Sequence, residues 1–198
     1  MLKPSAYLIS LLAITALSAC TPPTQKSTWQ AQRALTDFQA DGRLAVKIND
    51  KGSYANFDWQ YQNGIQTIDI NTPLGNTLGQ LCQDPQGVIA INDKGEQFTA
   101  NSPNELSEQL LGFALPLQHL STWAHGQWVN GAAHHITPDG SLQQFEWTIS
   151  RTIHPDGTPR VLEMNSTKLS LRLVFDNLQT INDAMPSFTQ CAARKNPS

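Results

Sequence analysis

Five histidines, three cysteines and sixteen carboxylates are the side chains from which this 198-residue chain would build catalysis or a metal site. They do not assemble into a reactive set. His134 and His135 are neighbours in a segment expected to be a strand, so their rings point to opposite faces and do not readily chelate one ion. The sequence has no nucleophile elbow, no HExxH pair and no paired-cysteine motif. It also has no glycine-rich loop ending in lysine and serine or threonine to hold a nucleotide phosphate. The expectation is therefore no enzyme, no metal and no cofactor. The spacing that does carry chemistry is Leu17-Ser18-Ala19-Cys20, a leucine, two small residues and a thiol directly behind an apolar run. There the chemistry is done to the chain rather than by it.

That quartet resembles a bacterial lipobox, where a lipoprotein signal peptide is cut and the cysteine is lipidated. Lys3 supplies a positive start, and the apolar run from Tyr7 to Ala19 spans about 13 residues. A membrane-spanning helix needs about 20, so the run reads as a signal core. An ordinary secretory signal with an incidental cysteine is the competing reading. Residues 1–19 are then a signal peptide and Cys20 is a covalent lipid anchor. Thr21 stands where lipoproteins retained in the inner membrane commonly carry Asp, which directs the chain to the outer membrane, facing the periplasm. Several acyl chains at about 0.8 kcal/mol per buried methylene make a firm anchor. Residues 20–28, rich in Pro, Thr, Ser and Gln, read as a flexible tether. A body over 29–180 and a tail over 181–198 follow.

Without residues 1–19 the chain keeps 12 of its 13 basic side chains against 16 acidic ones, a balance of −4 that offers no nucleic-acid footprint. Cys82 and Cys191 leave two readings open. An oxidising periplasm permits a disulfide between them, whereas Cys82 by itself also fits a buried thiol.

The elements that must position any site are mostly strands. Residues 28–39 lack Pro and Gly, and Trp29, Leu35 and Phe38 share part of one helical face, which predicts a short N-terminal helix. After Asp41-Gly42 the period becomes two. Leu44, Val46 and Ile48, then Phe57, Trp59 and Tyr61, then Ile68 and Ile70 alternate with polar residues, and Asn63-Gly64 is a two-residue hairpin signal. Ser102-Pro103-Asn104-Glu105 is a capping box ahead of Leu106, Leu110 and Leu111. A second helix is expected from Leu115 through Trp123 to Gly126. Strands resume with Phe145, Trp147 and Ile149, and with Leu169, Leu171, Leu173 and Phe175.

One turn is not polar. Thr72-Pro73-Leu74-Gly75-Asn76 places a leucine between two turn formers. Either Leu74 folds back onto the core, or it stands out as an apolar tip for a membrane or an acyl chain. One leucine is worth about 1.5–3 kcal/mol on burial, enough to steer contact but not to anchor.

Taken in order, these pieces resemble the LolB family of outer-membrane lipoprotein receptors. The resemblance covers nearly all of the chain after Cys20. It rests on the lipobox, Trp29 and Leu35, Gly42-Arg43, Phe57 and Trp59, Asn71 to Gly75, Asp93-Lys94-Gly95, Leu111-Gly112-Phe113, Leu115-Pro116-Leu117, Leu120 and Trp123, and Lys168-Leu169 through Asp176-Asn177. It implies a mainly β fold, an unclosed antiparallel barrel of about 11 strands with a short helical lid and an N-terminal helix. It further implies a monomer that accepts acylated outer-membrane lipoproteins from the periplasmic carrier LolA and inserts them among outer-membrane phospholipids. The turn of Pro73, Leu74 and Gly75 would then enter the membrane. The acyl-chain cavity would be lined by Leu44, Val46, Phe57, Trp59, Ile68, Ile70, Phe145, Trp147, Leu171 and Leu173, with Leu106, Leu110 and Trp123 from the lid. Cys82, Cys191 and the extended tail depart from better-known members. The rival expectation is a structural lipoprotein subunit of an outer-membrane assembly machine, with the same anchor and a filled core.

Overall fold

The computed structural model describes residues 25–26, 28–49, 51–112, 114–181 and 189–194. The expected signal peptide, Cys20 and Thr21 lie outside these residues, as do Phe113 and parts of the tail.

Among the described residues, eleven strands follow one path through a single antiparallel sheet, which a two-residue strand at Gln25–Lys26 joins off that path: β1 Phe38–Ile48, β2 Lys51–Gln62, β3 Ile65–Asn71, β4 Thr77–Asp84, β5 Gly87–Asn92, β6 Gln97–Ala100, β7 His134–Ile136, β8 Leu142–Gln144, β9 Trp147–Ile153, β10 Pro159–Asn165 and β11 Leu169–Thr180. Their order across the sheet is β7-β8-β9-β10-β11-β1-β2-β3-β4-β5-β6. Each neighbour is next in sequence except β11 and β1, whose long pairing joins the two halves. The edge strands β6 and β7 do not pair, so the sheet stays unclosed. The chain between them carries helices α1 Pro103–Leu111 and α2 Leu120–Ala124, which makes the lid the connection across the gap.

The period-two reading is correct through β2 and β3. Trp59 stands opposite Ala40 and Ile68, and Phe57 opposite Ile70, all on the inner face. Asn63 and Gly64 both have positive φ, 53° and 79°, the conformation that a two-residue hairpin needs. Asp41-Gly42, expected just before the first strand, lies inside it. A Cβ on Gly42 would sit 2.0 Å from the Val174 carbonyl oxygen and 3.0 Å from the Phe57 ring, so this glycine lets β1 and β11 approach at the seam.

No helix forms over residues 28–39. Trp29 is buried in the core and its indole N–H donates to the Gly140 carbonyl at 3.0 Å. Gln30–Ala31 pairs in parallel with Gln127–Trp128, just beyond α2. Arg33 N donates to Gln127 Oε1, while Gln32 and Asn130 exchange backbone and side-chain bonds. These partners satisfy the backbone without i→i−4 bonds, and burial of Trp29 outweighs weak helical propensity. The expected tether is also partly engaged, since Gln25–Lys26 pairs with Thr152–Ile153 of β9.

The lid follows its caps. Ser102 Oγ accepts from Glu105 N at 3.2 Å, Pro103 opens α1, and Gly112 closes it with φ 78°. The expected second helix divides into a 3₁₀ turn, Leu117–His119, and α2, which His125 caps just before Gly126 with φ 72°. The described residues 189–194 of the tail lie away from the lid. Cys191 is disulfide-bonded to Cys82, and residues 189–194 lie on the outer face over Ile65 and Ile89. Asp84, whose side chain is fully buried, accepts from Cys191 N at 2.8 Å and Arg194 Nε at 2.7 Å.

Candidate functional site

Leu74 is 91% exposed. Its turn is closed by Thr72 N to Asn76 O at 2.8 Å and Gly75 N to Thr72 O at 2.9 Å, with Gly75 at φ 87°. The same pair of bonds and the same left-handed glycine recur in three other hairpins: Thr137 to Ser141 with Gly140, His154 to Thr158 with Gly157, and Asn92 to Glu96 with Gly95. This is the three-residue loop in which a turn is followed by a glycine with positive φ. At the central position the other three carry Asp139, Asp156 and Lys94. Asp139 and Asp156 serve their turns. Asp139 accepts from Ser141 Oγ, Asp156 accepts from Thr158 N, and hydrogen bonds to the neighbouring threonine hydroxyls help hold both carboxyls below the usual range. Leu74 makes no comparable contact, so the turn does not explain the leucine.

The inner face gathers most of the residues expected there. Phe57, Trp59, Ile68, Trp147, Leu171, Leu173 and Trp123 are buried in one cluster, with Leu44, Val46 and Ile70 half-buried against it. Leu106 is buried as well. Two expected residues lie elsewhere. Phe145 is not on a strand: with Glu146 it forms the turn between β8 and β9, at φ 54° and 52% exposed, stacked flat on His119 at 5.0 Å. The alternation with Trp147 hid that turn, because the pattern lacks Gly, Asn or Asp. Leu110 is 45% exposed, since α1 buries Pro103, Leu106 and Ser107 and leaves its last turn outside. Phe38, Leu142, Ile149, Leu162, Met164 and Phe175 also fill the interior and were missed. Ile149 and Phe175 were legible, because they continue the alternation of Trp147 and of Leu173.

Trp123 and Ala124 of α2 are fully buried among the inward strand residues, so the side chains of α2 occupy the space beneath the lid. Gln144, itself 2% exposed, ties the lid down. Its Oε1 accepts from Trp123 Nε1 at 3.1 Å and Val129 N at 2.9 Å, and its Nε2 donates to Val129 O at 2.8 Å. Burial lowers the pKa of His119, and burial, aided by the charge of Arg151, lowers that of His125 despite its 2.8 Å contact with the Ser121 carbonyl. Both rings flanking α2 therefore favour the neutral form.

Away from the apolar patch under residues 189–194, the outer face of β1, β2 and β3 carries carboxylates. Asp41, Asp58 and Asp69 stand directly opposite one another across β1, β2 and β3. Each carboxylate accepts from an amide, of Asn177, Asn71 and Gln80 respectively, which relieves the like-charge contact. Among the described residues no group of three or more His, Cys, Asp or Glu could hold a metal ion, and no helix is long and apolar enough to cross a membrane.

Residues 36–177 match the family described as Outer membrane lipoprotein LolB. An outer-membrane lipoprotein LolB of Neisseria meningitidis serogroup A is 48% identical over 194 residues, covering 95% of this chain and 98% of that one. A Chromobacterium violaceum protein of the same name is 34% identical over 145 residues, covering 72% and 80% of the two chains. A LolA superfamily protein from Nitrosomonas europaea superposes with a TM-score of 0.43 and 6% identity, over 75% of this chain and 87% of that one.

Proposed function

The chain belongs to the outer membrane lipoprotein LolB family, whose place is the outer membrane, and we propose that it takes acylated lipoproteins from the soluble carrier LolA and inserts them into that membrane. The observation that carries this reading is Leu74, an exposed leucine at a turn position that three equivalent turns fill with charge. Cys20 carries the lipid that holds the protein at its target membrane, and the Pro73-Leu74-Gly75 tip touches the bilayer. The apolar inner face under α2 receives the acyl chains. A chain of about 16 carbons gains at most roughly 12 kcal/mol on burial, so passage through water is prohibitive and transfer runs directly from carrier to receptor. Each step goes downhill on differences of affinity. Because α2 side chains occupy the interior, acceptance requires the lid to move outward.

The packed interior favours one other reading, a structural lipoprotein of an outer-membrane assembly. One experiment separates them. The protein is mixed with carrier loaded with a tri-acylated lipoprotein, without ATP, and pull-down shows which protein holds the passenger. Movement to this protein supports the receptor, and retention on the carrier supports the structural alternative. In liposomes, Leu74→Glu is expected to leave acceptance intact and to stop insertion, and normal insertion by that variant refutes the role of the turn.

A further inference from the structure

Trp59 is 2% exposed, with the Phe38 ring edge-on at 5.3 Å and Phe175 at 6.4 Å. Its indole N–H is buried and has no hydrogen-bond acceptor among the described residues. Two other indoles of the same cluster do have one: Trp29 donates to the Gly140 carbonyl at 3.0 Å and Trp123 to Gln144 Oε1 at 3.1 Å. The cross-strand neighbours of Trp59 are Ala40 and Ile68, which carry no side-chain acceptor to rotate into place. A buried donor without an acceptor is destabilising, and a phenyl ring would pack in the same place without that penalty. The unused donor therefore sets Trp59 apart on the inner face, where the buried amides of Gln144 and Gln66 do have partners. A pure hydrocarbon would leave it unused. An acyl group would not, because its ester or amide linkage brings a carbonyl oxygen with the chain.

We propose that Trp59 Nε1–H donates to the carbonyl oxygen of the ester or amide linkage of an acyl group held under the lid. The inference rests on the reading that this chamber takes acyl chains. It adds that the chamber recognises the linkage as well as the tail, so that Trp59 is a specificity-determining residue rather than a packing residue alone.

The test uses the full chain with Cys20→Ser, labelled with ¹⁵N at its indoles, and three probes of matched length: methyl palmitate, N-methylpalmitamide and methyl hexadecyl ether. The Trp59 signal is identified by its loss in Trp59→Phe. Its indole proton is expected to move downfield with the ester and the amide but not with the ether, and the larger shift identifies the preferred linkage. Wild type is expected to bind the ester about fivefold more tightly than the ether, and Trp59→Phe to bind the two equally. If Trp59→Phe does not fold, benzothienylalanine at position 59, with sulfur in place of N–H, makes the same comparison in an isosteric ring. An equal shift with the ether, or an ester preference that survives loss of the N–H, overturns the inference. If none of the three probes binds, the acyl-acceptor reading fails first, and the inference falls with it.

Discussion

The indole N–H of Trp123 on α2 donates to Oε1 of Gln144 on β8 at 3.1 Å, with both residues buried. The same amide bonds both backbone groups of Val129, so one side chain fastens the lid helix and the chain leaving it to a single short strand. Gln144→Leu keeps the volume but strands two donors and one acceptor. We expect it to cost about 2–4 kcal/mol in denaturant unfolding. Amide exchange should accelerate first in Leu120–Ala124, ahead of the sheet. A loss under about 0.5 kcal/mol would show that the lid is held by packing alone.

The Leu74 turn should be indifferent to its leucine. Leu74→Asp places there the residue that Asp139 and Asp156 supply in equivalent turns, and its stability should stay within about 0.5 kcal/mol of wild type by thermal or denaturant unfolding. Gly75→Val should behave differently, because φ is 87° there and a β-branched residue is strained in that region. A loss of about 1–3 kcal/mol is expected. A large loss for Leu74→Asp would mean that the leucine serves the fold rather than a partner.

The disulfide between Cys82 and Cys191 closes a separation of 109 residues and fixes the C-terminal segment over Ile65 and Ile89. Reduction, or paired Ala substitution, should lower stability by about 2–5 kcal/mol in guanidinium unfolding. Burial alone would raise the Asp84 carboxyl, but the Arg194 hydrogen bond and the Cys191 and Gln86 amides outweigh it and bring its pKa below the usual value. A depressed carboxylate contributes stability above its unfolded pKa near 3.8, and that contribution is lost as pH falls through the lower folded value. Asp84→Asn should therefore flatten the acid limb of the stability profile. An unchanged limb would place the acid sensitivity elsewhere.

Lid stability should fall on mild acidification. His119 and His125 are both lowered from 6.5 by burial, so between their folded values and 6.5 the unfolded chain binds more protons than the folded one. Stability accordingly rises with pH through that window and is lost below it. Unfolding at pH 5.5 against pH 7.5 should show the drop, and His125→Phe, which keeps an aromatic ring beside Phe38, should reduce it. A pH-independent wild type over that range would refute the assignment.

Much of this protein was legible along the chain because hairpins are local. Period-two alternation places Phe57 and Trp59 inward whatever the partner strand, and Asn63-Gly64 turns the chain by its own φ preferences. The same holds for the cap of α1, where Ser102 and Glu105 are three residues apart. The family resemblance was legible for a related reason, since its motifs are short turns and strands in fixed order. Tertiary structure alone decided what depends on distant partners. Trp29 joined the core and gave residues 30–33 backbone partners near Gln127, against a local pattern that read as helix. Phe145 became a turn because the register of Gln144 with Trp147 left two residues between them. Cys191 meets Cys82 because the tertiary fold lays residues 189–194 on the outer face, 109 residues away in sequence. The open alternative at Leu74 closed outward, because the turn satisfies its own backbone and leaves that side chain nothing to touch. Local conformational preference is written in neighbouring residues, whereas burial is a competition among all of them.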